Sequence, residues 1–117
     1  MITLYLRSEF HKRLKELSKE SRCPMSYIVN SALRSLSDLH KREEYKPLKK
    51  ARVGKGTHAK LFGFKADDDV LEWLDDMSVY YGVTKATIIR DVLPSYVEAC
   101  EEGLIDAFTG RPVAQEP

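Results

Sequence analysis

Sliding the 117-residue chain along itself by 60 positions brings its two halves into apolar register without a gap. Leu4 falls on Phe64, Phe10 on Val70, Leu14 on Leu74, Leu17 on Met77, Ile28 on Ile88, Val29 on Ile89 and Leu33 on Leu93. A repeat of this period is one supersecondary unit used twice. A unit of roughly 40 residues with one strand and two helices leaves its strand edges open and a helix stripe bare. It cannot hold a core alone, so the copies must pair.

In the first copy, Ile2, Leu4 and Leu6 alternate with Thr3, Tyr5 and Arg7, which predicts a short amphipathic strand. From Ser8, read as an N-cap, the period becomes helical, with Phe10, Leu14 and Leu17 on one stripe. After a break at Ser21 to Pro24 comes a second helix with Tyr27, Ile28, Ala32, Leu33, Leu36 and Leu39. Pro24 fits its first turn, where a missing N–H has no partner to lose. The second copy keeps the order. Lys60 to Ala66 alternate as a strand with Phe62 and Phe64 on one face, and a helix starting at Asp67 to Asp69 turns Val70, Leu71, Leu74 and Met77 inward. Gly82 suits a left-handed C-cap and Thr84 the next N-cap, followed by inward Ile88, Ile89, Val92 and Leu93. Pro94 should kink or restart that helix after Leu93. The expected organisation is a repeat over 1–45, a basic linker over 46–58, a second repeat over 59–102 and an irregular tail over 103–117. The expected fold is mainly α with a short two-stranded antiparallel ribbon.

The second copy, KLFGFKADDDVLEWLDDM followed by YYGVTKATIIRDVL, resembles the strand, first helix, Gly-x-Ser/Thr turn and second helix of the ribbon-helix-helix proteins of the Arc and MetJ type. The first copy, ITLYLRSEFHKRLKEL followed by RCPMSYIVNSAL, is similar, with Arg22 where Gly82 stands and Pro24 where Thr84 stands. The resemblance implies two ribbon-helix-helix repeats forming a pseudo-dimer whose ribbon enters the major groove of double-stranded DNA. By position it makes Met1, Thr3, Tyr5, Leu61, Gly63 and Lys65 the base contacts. It makes Met25, Ser26, Thr84 and Lys85, at the N-termini of the second helices, phosphate contacts. The implied function is that of a sequence-specific transcriptional regulator, a repressor or an accessory protein of a mobile element's DNA processing, with room for self-association on DNA.

Two alternatives stand beside this reading. Such proteins commonly carry Arg, Lys, Asn or Gln on the ribbon face, whereas this face offers one Lys, one Thr and one Tyr with hydrogen-bonding side chains. The ribbon could thus serve as a scaffold in a protein-interaction module, antitoxin-like or inhibitory. Each strand could also pair with its own copy in another chain.

The net charge of +1 conceals a division. Residues 1–58 hold 14 Lys and Arg against 6 Asp and Glu, a balance of +8; residues 59–117 hold 5 against 12, a balance of −7. Halves so opposed either fold against one another or present one of them to a polyanion. Lys49, Lys50, Arg52 and Lys55 in the linker suit phosphate contacts with a salt-dependent contribution, or else a solvated tether. Trp73 matches Arg13 and lies off the inward stripe, with Met77 and Tyr80 following at helical spacing. These three are covered by residues 99–112 or the linker, or they contact a protein partner. Asp67, Asp68, Asp69, Glu72, Asp75 and Asp76 suit a helix start and a solvated face.

No stretch reaches the roughly 18 apolar residues of a membrane helix, and the first residues lack a signal-peptide pattern, so no membrane partner and a cytoplasmic location are expected. Cys23 and Cys100 are too few for a metal framework and read as reduced, half-buried thiols. His11, His40 and His58 show no ligand spacing. No nucleophile, phosphate loop or carboxylate pair stands out, so no catalytic residue, metal or cofactor is expected.

Overall fold

A computed structural model describes residues 1–41, 59–107 and 109–113. Its elements are β1 (Ile2–Arg7), α1 (Ser8–Ser21), α2 (Met25–Lys41), β2 (Ala59–Phe64), α3 (Asp68–Tyr81), α4 (Lys85–Glu101), β3 (Ile105–Asp106) and β4 (Arg111–Pro112). Strand, first helix and second helix recur with the same lengths of 6, 14 and 17 residues. The fold is mainly helical, and β1 and β2 pair antiparallel within the chain, from Ile2↔Phe64 to Arg7↔Ala59. Pleating sends Leu4, Leu6, Phe62 and Phe64 to one face. There they are buried with Leu14, Leu17, Val70 and Leu74 of the first helices and Ile28, Val29, Leu33, Leu36, Ile88, Ile89, Leu93 and Val97 of the second.

The turns between helices are built alike. Both first helices end in a residue with left-handed backbone, Arg22 at φ 56° and Gly82 at φ 65°. The next amide closes the turn, Cys23 N–H to Ser18 O at 3.1 Å and Val83 N–H to Ser78 O at 3.1 Å, which is the Schellman arrangement. Ser18 and Ser78, 60 residues apart, also donate from Oγ to the carbonyls of Cys23 and Val83. Glycine takes this backbone without strain, whereas Arg22 holds its Cβ against the following carbonyl. Arg22→Gly should therefore raise stability by about 1 kcal/mol and Gly82→Ala lower it by about as much. Urea denaturation reads both, and an unmoved midpoint for Arg22→Gly would mean that the arginine side chain offsets its backbone cost.

Several expected details differ. Ser8 is the first helical residue of α1, and the N-cap is Arg7, with no side-chain cap bond; Asp67 caps α3 likewise without one. Pro24 stands just before α2, where its carbonyl accepts from Ile28 N–H at 3.2 Å. α4 runs through Pro94 without restarting. The missing hydrogen bond is outweighed because Ile88, Ile89, Leu93, Tyr96 and Val97 bury one continuous stripe across it, while Pro94 itself is exposed. Among the described residues of the tail, where the sequence predicts irregular chain, β3 and β4 form a hairpin, Ile105↔Pro112 and Asp106↔Arg111. Its Gly110 lies against Ser31 and Tyr96, and the Ala107 carbonyl faces the Cys23 thiol at 4.0 Å. Cys23 is buried and Cys100 half-buried, both as free thiols. Burial pushes the Cys100 thiol up to about 11.

Candidate nucleic-acid interface

With the even-numbered residues of β1 and β2 turned to the core, apart from Lys60 at the ribbon end, the odd-numbered residues form the outer face. Thr3 pairs with Gly63 at its centre, Tyr5 with Leu61 and Arg7 with Ala59 on one side, and Met1 and Lys65 lie just beyond the last pair on the other. Met1, Thr3, Arg7, Leu61, Gly63 and Lys65 are exposed and Tyr5 is half-buried. All six residues assigned to base contact are thus on one surface. Arg7 belongs to the same surface, and strand alternation alone places it there.

The register has an internal symmetry. A shift of 60 residues exchanges Ile2↔Phe64 with Leu4↔Phe62 and maps Thr3↔Gly63 onto itself. The second helices hold the ribbon ends crosswise. Asn30 of α2, buried, donates to the Lys65 carbonyl at 3.1 Å and to Ser26 O at 2.8 Å, and its Oδ1 accepts from Asp67 N–H at 2.9 Å. Arg90 of α4 reaches the Tyr5 carbonyl at 3.4 Å. Asn30 and Arg90 are 60 apart, as are Tyr5 and Lys65. No periodicity in the sequence marks either tether.

The two helix N-termini differ. Thr84 Oγ1 accepts from Thr87 N–H at 3.2 Å, and Lys85 pairs with the Asp75 carboxylate, so α4 starts capped and charge-matched. At the start of α2, Pro24 brings no side-chain acceptor, and Met25 and Ser26 are half-buried. The flanks differ too. α1 displays Lys12, Arg13, Lys15 and Lys19 interleaved with Glu9, Glu16 and Glu20, whereas α3 displays Asp68, Asp69, Glu72, Asp75 and Asp76 and has no basic residue. Arg34 pairs with Asp67 at 2.5 Å and Asp69 at 3.1 Å, holding the Asp69 carboxyl below its usual range. Arg13 pairs with Glu101 and lowers that carboxyl in the same way. His11 packs edge-on against Phe62, and burial there, with Lys60 and Lys15 near, lowers its pKa.

Of the residues assigned to a protein partner, Trp73 and Met77 are half-buried against the core, whereas Tyr80 is 72% exposed beside Val79 at 85%. Lys49, Lys50, Arg52 and Lys55 lie outside the described residues. Among the described residues no group of three or more His, Cys, Asp or Glu could hold a metal ion, and no helix is long and apolar enough to cross a membrane. No family model, curated protein or solved structure matches the chain.

Proposed function

We propose that the chain is a single-chain pseudo-dimer of two ribbon-helix-helix repeats, and that it is a sequence-specific DNA-binding regulator, a repressor or an accessory of a mobile element's DNA processing. The observation that carries this reading is the ribbon itself. Its inner face is sealed by Leu4, Leu6, Phe62 and Phe64, its outer face is open, and its register is symmetric about Thr3↔Gly63. A two-stranded ribbon fits the major groove, where Lys65 can meet guanine acceptors, Tyr5 and Thr3 can donate, and Met1 and Leu61 can touch thymine methyl groups. The crosswise tethers from Asn30 and Arg90 hold its ends at a fixed spacing.

Tyr5→Ala and Lys65→Ala should each weaken binding to the preferred site by about 1–3 kcal/mol while sparing binding to unrelated duplex. Fluorescence anisotropy on both duplexes measures this, and equal losses on all sequences would refute base readout. A second reading, a protein-interaction module, draws support from the acidic α3 and its exposed Val79 and Tyr80. Absence of any DNA binding at low salt would favour it, and pull-downs comparing Tyr80→Ala, at an exposed position, and Trp73→Ala with the unaltered chain would then test it.

A further inference from the structure

Resting on the DNA-binding reading above, we propose that the ribbon recognises a non-palindromic duplex site, with its discriminating contacts concentrated at the Arg7 end. A ribbon of two identical strands offers the same side chains to both half-sites, so it prefers an inverted repeat. Here the backbone register keeps that symmetry while the side chains break it. The 60-residue shift that maps Thr3↔Gly63 onto itself carries Tyr5 onto Lys65, Met1 onto Leu61 and Arg7 onto Asp67. One half of the outer face therefore reads Leu61, Tyr5, Ala59 and Arg7, and the other reads Met1 and Lys65, with Asp67 standing beyond it as the N-cap of α3.

The centre is one-sided as well. Thr3 supplies a single hydroxyl there, and Gly63 leaves the space opposite to its neighbours: a Cβ on Gly63 would come within 3.2 Å of Thr3 Cγ2 and 3.3 Å of Met1 Sδ. Beyond the face, the ends differ in charge. The Arg7 end is bordered by exposed Lys60 and by the Arg90 guanidinium at the Tyr5 carbonyl, against a single acid, the exposed Glu9, in the first turn of α1. The Lys65 end runs into Asp67, Asp68 and Asp69, and Arg34 is paired to two of these. A phosphate backbone meets cations at the first end and carboxylates at the second.

From Met1 to Arg7 the face is about 20 Å long, roughly six base pairs of groove. Over that span the Arg7 half matches a guanine, through the guanidinium, beside a thymine whose methyl meets Leu61. The other half can set the Lys65 ammonium on a guanine and Met1 against a thymine methyl, but it has neither the planar guanidinium of Arg7 nor the phenol of Tyr5.

The test is selection of the full chain from random duplex DNA, followed by binding measurements on the enriched sequence, on an inverted repeat of each of its halves and on a shuffled duplex. The enriched sequence should lack two-fold symmetry, and neither inverted repeat should bind more tightly. Arg7→Ala should cost roughly ten- to a hundredfold on the enriched sequence and relax base preference in one half only. Lys65→Ala should relax the other half. Retained binding to shuffled duplex shows that the variants are folded. A palindromic consensus, or relaxation of the same positions by both variants, would overturn the asymmetry and leave DNA binding standing. Failure to bind any duplex at low salt would overturn both.

Discussion

Leu14→Ala and Leu74→Ala should each destabilise the chain by about 2–5 kcal/mol, read as a fall in the urea midpoint at unchanged slope. Both leucines are fully buried, at 0% exposure, in the middle of α1 and α3, and they are equivalent under the 60-residue shift. Truncation removes the transfer free energy of the lost carbons and leaves a cavity that helices tethered at both ends cannot close. A domain of this size has about 5–15 kcal/mol of stability in all, so each variant should stay folded, while the double variant, losing about 4–10 kcal/mol, should give up most of that margin. A single cooperative transition in both single variants is the further expectation, because inner-face residues of both strands share one cluster with both helix pairs. Two transitions, one spared by each substitution, would show that the halves fold independently and that the ribbon does not weld them.

What sequence reasoning recovered follows from what periodicity encodes. Alternation at Ile2 to Arg7 and Lys60 to Phe64, and the helical spacing of Leu14, Leu17, Val70, Leu74, Ile88 and Leu93, report burial directly, so strands, helices and core were legible. Thr84 and Gly82 were legible because each residue type carries a distinct local chemistry for its cap. Arg22 was not, because nothing in an arginine announces a left-handed backbone, yet the serine 60 residues before Ser78 marks the same turn. The hairpin over Ile105 to Pro112 was missed because two-residue strands are too short to show a period, and the continuity of α4 was missed because tertiary burial overrode Pro94. For the candidate site, the outward residues could be read from alternation. Their partners across the ribbon, the charge contrast of its two ends and the crosswise tethers could not, since those depend on register and on contacts between distant segments.

Asn30 is the place where that hidden part should show the largest effect. Its side chain uses both amide hydrogens and its oxygen, binding Ser26 O, Lys65 O and Asp67 N–H from a site 4% exposed. Ser26 O can still serve the helix when the side chain is cut back, but Lys65 C=O and Asp67 N–H lose a partner in a place where water replaces it poorly. Asn30→Ala should therefore cost about 2–4 kcal/mol, whereas truncating Arg90, half-buried and 3.4 Å from the Tyr5 carbonyl, should cost less. Asn30→Asp separates hydrogen bonding from volume. A carboxylate there can accept from Asp67 N–H but faces two carbonyls with nothing to donate, so the folded state favours its protonated form and its pKa rises above the unfolded value of about 3.9. A raised folded pKa gives stability that is present below the unfolded value and lost as pH climbs through the folded one. Urea midpoints of Asn30→Asp should accordingly fall between about pH 4 and neutrality relative to the unaltered chain. A parallel pH profile for the two would mean that Asn30 is solvated and does not clamp the end of the ribbon. On the DNA-binding function proposed above, the clamp holds the Lys65 end alone, so Asn30→Ala should also loosen base preference in the half-site assigned to Lys65 while leaving the Tyr5 half intact.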